Sequence, residues 1–326
     1  MVPAGEGRIH AQIALLSIVI ALLAASVAGR IMNACLRRCA MALLGTLLLG
    51  DAAAAHAGDT ITWANLHFPP WMILKGESAG QGVWDALLKE VIANLPEYDH
   101  EMVQMKNVRY EELARQQAHV CKVYYFKTPE REEVLHYSIP SVVFLANHVV
   151  MRKEKARELG NPASISLERL LDDTRFTGAF VEGRSYGKEI DPLLQKHMGM
   201  SHLLFRVADN QNLFEVLGLG RADYILEFPA VRSFFEHDLD IHPELANIRI
   251  EGITPYNVTY VTCVKNEWGK RVLKKVDEIL KRYIPTSAHR EATLRWYRPA
   301  EQAELAKYYQ RILVDPLRAE KPPRKP

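Results

Sequence analysis

Short apolar runs alternate along most of the chain with segments whose apolar residues recur at helical spacing. Strands are predicted at 61–65, 102–105, 120–126, 142–151, 177–181, 203–207, 223–227 and 257–264. Helices are predicted at 83–95, 109–117, 167–171, 187–197, 210–217, 230–237, 268–283, 287–297 and 301–312. This alternation is typical of an α/β fold with mainly parallel sheets flanked by helices.

The order of these elements divides the chain into two lobes. A first series of strands and helices is followed by a second, and the β-branched run 257–264 then returns to the first lobe. We therefore expect domain 1 to comprise residues 58–151 and 254–314, and domain 2 residues 152–253. Two connecting strands would form a hinge, with ligand bound in the cleft between the lobes. The proline-rich end, 315–326, is predicted to be disordered.

Two apolar stretches, 11–28 and 40–50, precede these lobes. Arg37 and Arg38 stand before the second stretch, and a small-x-small site ending at Ala57 follows it. This pattern indicates a secretory signal, so residues 1–57 form a signal region and the mature chain is exported to the periplasm. The first stretch is either a membrane anchor or an extension upstream of the start of a conventional signal peptide.

Charge and cysteine content describe the exported part further. The full chain has 41 basic and 39 acidic residues, and removal of the signal region leaves equal numbers of each. A neutral chain gives no reason to expect nucleic acid or an anionic membrane as a partner. Of the four cysteines, Cys121 and Cys263 remain, and the oxidising periplasm favours a disulfide between them over two buried thiols.

The segment 127–140 contains the most informative charge. Thr128 can cap a helix, Pro129 suits its first position, and Arg131 then lies in the first turn, where a cation opposes the helix dipole. Binding of an anion would explain this placement. The alternative is a surface arginine paired with a nearby glutamate.

This segment resembles the Thr-x-x-Arg signature of family 3 extracellular solute-binding proteins, the periplasmic receptors of polar amino acid ABC transporters. Tyr137, Ser138 and Pro140 follow where that family has Phe-Ser-x-Pro. The resemblance covers nearly all of 60–297, and within that superfamily the chain is similar to a proteobacterial branch without a settled function. It implies a two-lobed type II periplasmic binding protein fold and a monomeric receptor. Arg131 would bind the carboxylate of a small carboxylate-bearing or amino-acid-like solute that passes to an ABC permease.

The resemblance also assigns roles in the loop after the first strand. Asn65 takes the position of a polar selector, and Phe68 that of the aromatic that stacks on the ligand. Trp71 is a second candidate, although any of these aromatics could instead belong to the core. Arg109 and Lys127 would add positive charge to the cleft if they face it.

Domain 2 is expected to supply the opposite wall. A glycine-bracketed turn contains Arg184 and Ser185, and the resemblance implies that Ser185 meets the ligand carboxylate together with backbone amides. Amino acid receptors carry an aspartate for the ligand ammonium at the position of Phe228. Here the nearest acid is Glu227, one residue earlier, which weakens the case for an α-amino acid.

Two other classes of function remain open. One is an enzyme on the same fold, similar to cyclohexadienyl dehydratase, with Glu227 as general acid or base. The other is a ligand sensor for a signalling partner. The twelve histidines show no metal-ligand spacing, and no hydrolase or phosphate-loop motif occurs. We therefore expect a binding protein without metal, cofactor or covalent catalysis.

Overall fold

The computed structural model describes residues 59–238 and 244–319. The signal region expected at residues 1–57 lies outside these residues, and so does the end of the tail after residue 319. Within the described part of the chain, no helix is long and apolar enough to cross a membrane.

The described strands form two mixed sheets. They are β1 (Thr60–Asn65), β2 (Asp99–Gln104), β3 (Val120–Tyr125), β4 (Leu135–Leu145), β5 (His148–Arg152), β6 (Ser164–Ile165), β7 (Gly178–Val181), β8 (Leu203–Val207), β9 (Tyr224–Glu227), β10 (Leu245–Ile250) and β11 (Tyr256–Val264). The first sheet has the order β2-β1-β3-β11-β4, and the second has the order β6-β10-β5-β9-β7-β8.

The chain crosses from one sheet to the other twice, and the strands next to these crossings form antiparallel pairs, whereas the strands at the centre of each lobe form parallel pairs. β1 is parallel to β2 and β3, and β7 is parallel to β8 and β9. The antiparallel pairs all involve β4, β5, β10 or β11, the strands through which the chain passes between the sheets. The two-lobed α/β fold expected from the sequence is confirmed, with sheets that are mixed at the hinge.

The first crossing occurs earlier than the sequence suggested. β4 ends in the first sheet and β5 begins in the second, with only Ala146 and Asn147 between them. The expected boundary after residue 151 therefore falls too late, because one apolar run supplies strands to both sheets. The second crossing, at 251–255, lies beside the first, since the Ala146 amide donates to the Pro255 carbonyl at 3.1 Å.

Helices connect the strands. They are α1 (Val83–Ala93), α2 (Asn107–Arg115), α3 (Pro129–Glu132), α4 (Lys153–Glu158), α5 (Leu167–Asp172), α6 (Asp191–His197), α7 (Asn210–Gly218), α8 (Pro229–Asp238), α9 (Glu267–Tyr283), α10 (Ser287–Leu294), α11 (Pro299–Tyr308), a π-helical stretch (Tyr309–Val314) and α12 (Asp315–Ala319). Residues 315–319 thus differ from the predicted disordered tail, because Leu317 packs against the core.

Helix α9 shows how the sequence produces the first lobe. Asn266 caps it by accepting a hydrogen bond from the Gly269 amide at 2.9 Å, and Trp268, Val272 and Val276 form a buried stripe at helical spacing. A Cβ on Gly269 would lie 2.0 Å from the Val264 carbonyl oxygen. Only glycine therefore lets the helix start this close to the end of β11.

Strand β3 forms the centre of the first sheet, and every residue in it is buried. Cys121 pairs with Cys263 of β11 in register, and the two are joined by a disulfide. The strand leads directly to Thr128 and helix α3, so its position determines where Arg131 lies.

Two buried histidines should make the fold sensitive to acid. Burial lowers the pKa of His148 to about 4 and that of His289 to about 4, below the usual value near 6.5. The unfolded chain therefore binds more protons below pH 6.5, so folding stability should fall as the pH drops from 6.5 towards 4. The expected loss is about 2 to 3 kcal/mol for each histidine.

Urea unfolding measured from pH 7 to 4.5 checks this expectation. A His148→Gln variant provides the control, because it removes one of the two titrating groups. Its free energy of unfolding should decrease less steeply over this range than that of the wild type. Equal slopes for the two proteins would contradict the assignment for His148.

Candidate functional site

The cleft between the two sheets contains a cavity of about 1090 Å³. Its walls come from the loops after β1 and β3 in the first lobe, from the turn 183–191 in the second lobe, and from residues 146–147 and 253–260 at the crossings. Carboxyl ends of strands are the usual ligand-binding edge of an open α/β sheet. The cavity is therefore where a small molecule would contact both lobes and the hinge at once.

The structure brings most of the predicted site residues to this cavity. Those that line it are Phe68, Trp71, Lys127, Thr128, Arg131, Arg184, Ser185 and Phe228. Asn65, Arg109 and Glu227 are not among the lining residues. Asn65 is buried at the end of β1, Arg109 forms an exposed pair with Glu112 on α2, and Glu227 is buried beneath the wall.

Arg131 enters the cavity from a short capped helix. The Thr128 hydroxyl accepts a hydrogen bond from the Arg131 amide at 3.4 Å, and Pro129 occupies the first helical turn, which confirms the predicted cap. The guanidinium lies 4.1 Å from the centre of the Tyr125 ring. This contact is of the cation–π type and fixes the plane of the guanidinium.

Two protein oxygens hold one side of that guanidinium. Nε of Arg131 donates to Glu111 Oε1 at 3.2 Å, and Nη1 donates to the Phe126 carbonyl at 3.3 Å. None of the described residues accepts a hydrogen bond from Nη2. The arginine is thus oriented by the protein with donors left over, which suits recognition of one carboxylate.

The sequence did not reveal Glu111 as part of the site. It lines the cavity and also accepts a hydrogen bond from the Tyr125 hydroxyl at 2.5 Å. Desolvation, and then donation to Glu111, raise the pKa of Tyr125 far above its usual value. Glu111 is 20 residues from Arg131, so no local spacing links them.

Arg184 forms the main polar contact of the second lobe. It donates to both oxygens of Glu227, at 2.5 and 2.8 Å, and to Asn210 Oδ1 at 2.8 Å. Burial alone would lower the pKa of Arg184, but the adjacent Glu227 carboxylate outweighs this effect and the pKa is raised. Glu227 is fully buried in this pair. It is therefore committed to Arg184 rather than exposed to a ligand.

The turn that contains Ser185 is also satisfied internally. Ser185 Oγ donates to Asp191 Oδ2 at 2.5 Å, and the Tyr186 amide donates to Asp191 Oδ1 at 2.6 Å. Helix α6 begins at Asp191 and not at Gly187 as predicted, so this carboxylate folds back onto the turn. The anion position that we expected for the ligand carboxylate at Ser185 is occupied by Asp191.

Aromatic rings from both lobes meet at the base of the cavity. We call Phe68, Trp71, Trp84, Tyr124, Phe144 and Phe228 the aromatic cluster. Trp84 stacks on Tyr124 at 4.0 Å between ring centres, and Trp71 contacts Phe228 of the second lobe at 5.1 Å. The sequence predicted Trp84 only as part of a helix. The cluster offers an apolar surface to the non-polar part of a ligand.

The charges that line the cavity are balanced. The basic residues are Lys127, Arg131, Arg184 and Lys188, and the acidic ones are Glu111, Glu130, Glu189 and Asp191. The charged residues of this lining therefore carry no net formal charge. Arg109, which was expected as a second cation if it faced the cleft, does not line the cavity.

Lys122 lies behind the lining and is fully buried. Its Nζ donates to Asn107 Oδ1 at 2.9 Å and lies 4.4 Å from the centre of the Tyr124 ring. Burial, and then the neighbouring Arg131, lower the pKa of Lys122 to about 7. Its place inside a strand of buried residues could not be distinguished in the sequence from that of an exposed lysine.

Two lobes, two crossings and a cavity between them are the architecture of the two-lobed periplasmic binding protein fold, and comparison with solved structures agrees on this fold. The chain is similar to a mutant of ArgBP from T. maritima, with 17% identity, a TM-score of 0.53, and coverage of 73% of this chain and 95% of that chain. It is also similar to a putative L-cystine ABC transporter from Listeria monocytogenes, with 18% identity, a TM-score of 0.53, and coverage of 74% and 97%.

A third similar structure is part of a signalling protein. It is a histidine kinase sensor domain with similarity to periplasmic binding proteins, with 12% identity, a TM-score of 0.54, and coverage of 73% of this chain and 95% of that chain. No protein-family model matches the sequence, and no curated protein matches it. At these identities the comparisons establish the fold alone.

Proposed function

We propose that the protein is an exported, periplasmic solute-binding protein that captures a small solute with one carboxylate, such as an amino-acid-like molecule, for an ABC importer. The observation that carries the proposal is Arg131. It lines the cleft, Glu111 and Tyr125 orient it, and it keeps donors that no described residue uses. The similarity to ArgBP and to a putative L-cystine ABC transporter supports the same role, and a monomer would suffice for it.

Ser185 of the second lobe was expected to hold the ligand carboxylate together with backbone amides. In the proposal, this wall has a smaller part in carboxylate binding. Because Asp191 occupies that turn, the ligand carboxylate would be held mainly from the Arg131 side. The aromatic cluster would contact the rest of the solute, and the balanced charge of the lining agrees with a single acidic group.

Replacement of Arg131 by alanine tests this proposal. A thermal-shift screen of carboxylates and amino acids first identifies solutes that stabilise the mature protein, and calorimetry then gives their affinities. Arg131→Ala should weaken binding by about 2 to 3 kcal/mol, or roughly 30- to 150-fold, because a charged hydrogen-bonded contact is lost.

Arg109→Ala is the matched control for that measurement. It removes the same charge from an exposed position on the same lobe, where Arg109 pairs only with Glu112 among the described residues. Affinity in this variant should equal that of the wild type. Unchanged binding in Arg131→Ala, or a screen in which no carboxylate stabilises the protein, would contradict the proposal.

A sensor role is the second candidate, and the similarity to a histidine kinase sensor domain favours it. Both roles need the same ligand contact, so they differ in the partner. A permease and an ATPase encoded beside this gene would favour import, whereas a sensor kinase or cyclase gene would favour signalling. A dehydratase-like enzyme is less well supported, since Glu227 is held by two hydrogen bonds from Arg184.

A further inference from the structure

Asn147 occupies the centre of the first crossing. It is one of two residues between β4 and β5, only 4% of it is exposed, and it lines the cavity. His148 pairs with Glu227 across the antiparallel β5 and β9, so the register continues from Asn147 towards Phe228. Asn147 therefore contacts the cavity where the hinge and the second lobe meet.

The orientation of its carboxamide is fixed by chemistry. Asn147 Nδ2 donates to the Tyr186 carbonyl at 3.1 Å. A carbonyl can only accept, so the amide nitrogen must face Tyr186 and Oδ1 must face away from it. No described residue donates to this buried oxygen. Buried acceptors in folded proteins nearly always have a donor.

We propose that Asn147 is a specificity-determining residue whose Oδ1 accepts a hydrogen bond from the bound carboxylate solute. The solute would then carry a donor beside its acid group, such as an ammonium, a hydroxyl or an amide N–H. This inference rests on the proposed function. It assigns the recognition of the donor to the hinge, since Glu227 is already paired with Arg184.

Matched acids test the inference. The first trio is L-phenylalanine, L-3-phenyllactate and 3-phenylpropionate, which share a ring and a carboxylate and differ only in an ammonium, a hydroxyl or a hydrogen. An equivalent trio is built on 4-methylpentanoate. Calorimetry on the mature protein should show that, in a trio that binds, at least one donor-bearing acid binds about 10- to 100-fold more tightly than the acid without a donor.

The variant Asn147→Leu should remove this preference, so that the ratio of the affinities for the donor-bearing acid and for the acid without a donor falls to about one. Asn247→Leu is the matched control. Asn247 also donates through Nδ2, to Glu301 at 2.8 Å, and has an unpartnered Oδ1, but it does not line the cavity. The preference should persist in this control at its wild-type size.

The possible outcomes separate this inference from the proposed function. If the wild type binds the acids of a trio equally, or if Asn147→Leu keeps the preference, the inference is overturned while carboxylate capture stands. The wild-type comparison decides this even if Asn147→Leu fails to fold. If these acids do not bind to the wild type, the trio is rebuilt on a carboxylate that the thermal-shift screen identifies, and if no carboxylate of that screen binds, carboxylate capture and the role of Asn147 are both overturned.

Discussion

Replacing Cys121 and Cys263 together by alanine should lower the free energy of unfolding by about 4 to 5 kcal/mol. The disulfide joins residues 142 positions apart, and closing so long a loop removes a large amount of entropy from the unfolded chain. Both cysteines are fully buried in neighbouring strands, and alanine fits there without introducing a polar atom. Urea unfolding of the oxidised wild type and of the double variant measures the difference.

The reduced wild type is the control that separates the bond from the side chains. Unfolding in the presence of a strong reductant should give a midpoint close to that of the double variant, because both lack the cross-link. A double variant as stable as the oxidised wild type would contradict a stabilising role for the bond. Because β3 leads to Arg131 and β11 supplies Thr259 to the cavity, loss of the bond should also loosen the ligand site.

Local sequence signals were sufficient for the features that depend on neighbouring residues. The cap at Thr128 with Pro129 after it was predicted, and the structure has it. The alternation of strand and helix patterns likewise predicted the α/β fold, since each element buries one face or stripe against the next. The disulfide between Cys121 and Cys263 was favoured over two buried thiols by the expected compartment, by the number of cysteines and by the family pattern that places both strands in one domain, and the structure has it.

Contacts between distant residues were not predictable in the same way. Arg131 and Arg184 were both identified as candidate ligand contacts, but their partners Glu111 and Glu227 lie 20 and 43 residues away. No periodicity connects residues at such separations. The contact between Asp191 and Ser185 was not predicted for a related reason. Asp191 reaches Ser185 only because α6 starts four residues later than predicted.

The first crossing shows the limit of hydrophobic pattern as a guide to boundaries. Within the predicted run 142–151, Asn147 and His148 are the only polar residues, and two polar residues do not by themselves mark the end of a strand. Asn147 was one of these two polar signals. It could have been recognised as a departure from the pattern, since polar residues in a buried strand usually have a specific partner.

Loss of Glu227 should be among the most damaging single substitutions in this protein. Glu227→Ala leaves Arg184 in the cavity wall, where its side chain is only 13% exposed, without a carboxylate. Breaking a buried ion pair by removing one partner typically costs about 3 to 5 kcal/mol, because an uncompensated charge stays buried. Urea unfolding should show a loss of this size for Glu227→Ala.

The double variant Arg184→Met with Glu227→Leu tests the cause of that loss. If the penalty comes from the unpaired charge, removing both charges should recover most of the stability lost in Glu227→Ala, since an apolar pair of similar volume needs no counter-ion. A double variant as unstable as the single one would instead point to packing around Phe228. A Glu227→Ala variant that retains wild-type stability would mean that Glu227 is free of Arg184, and only then would a role as general acid or base regain support.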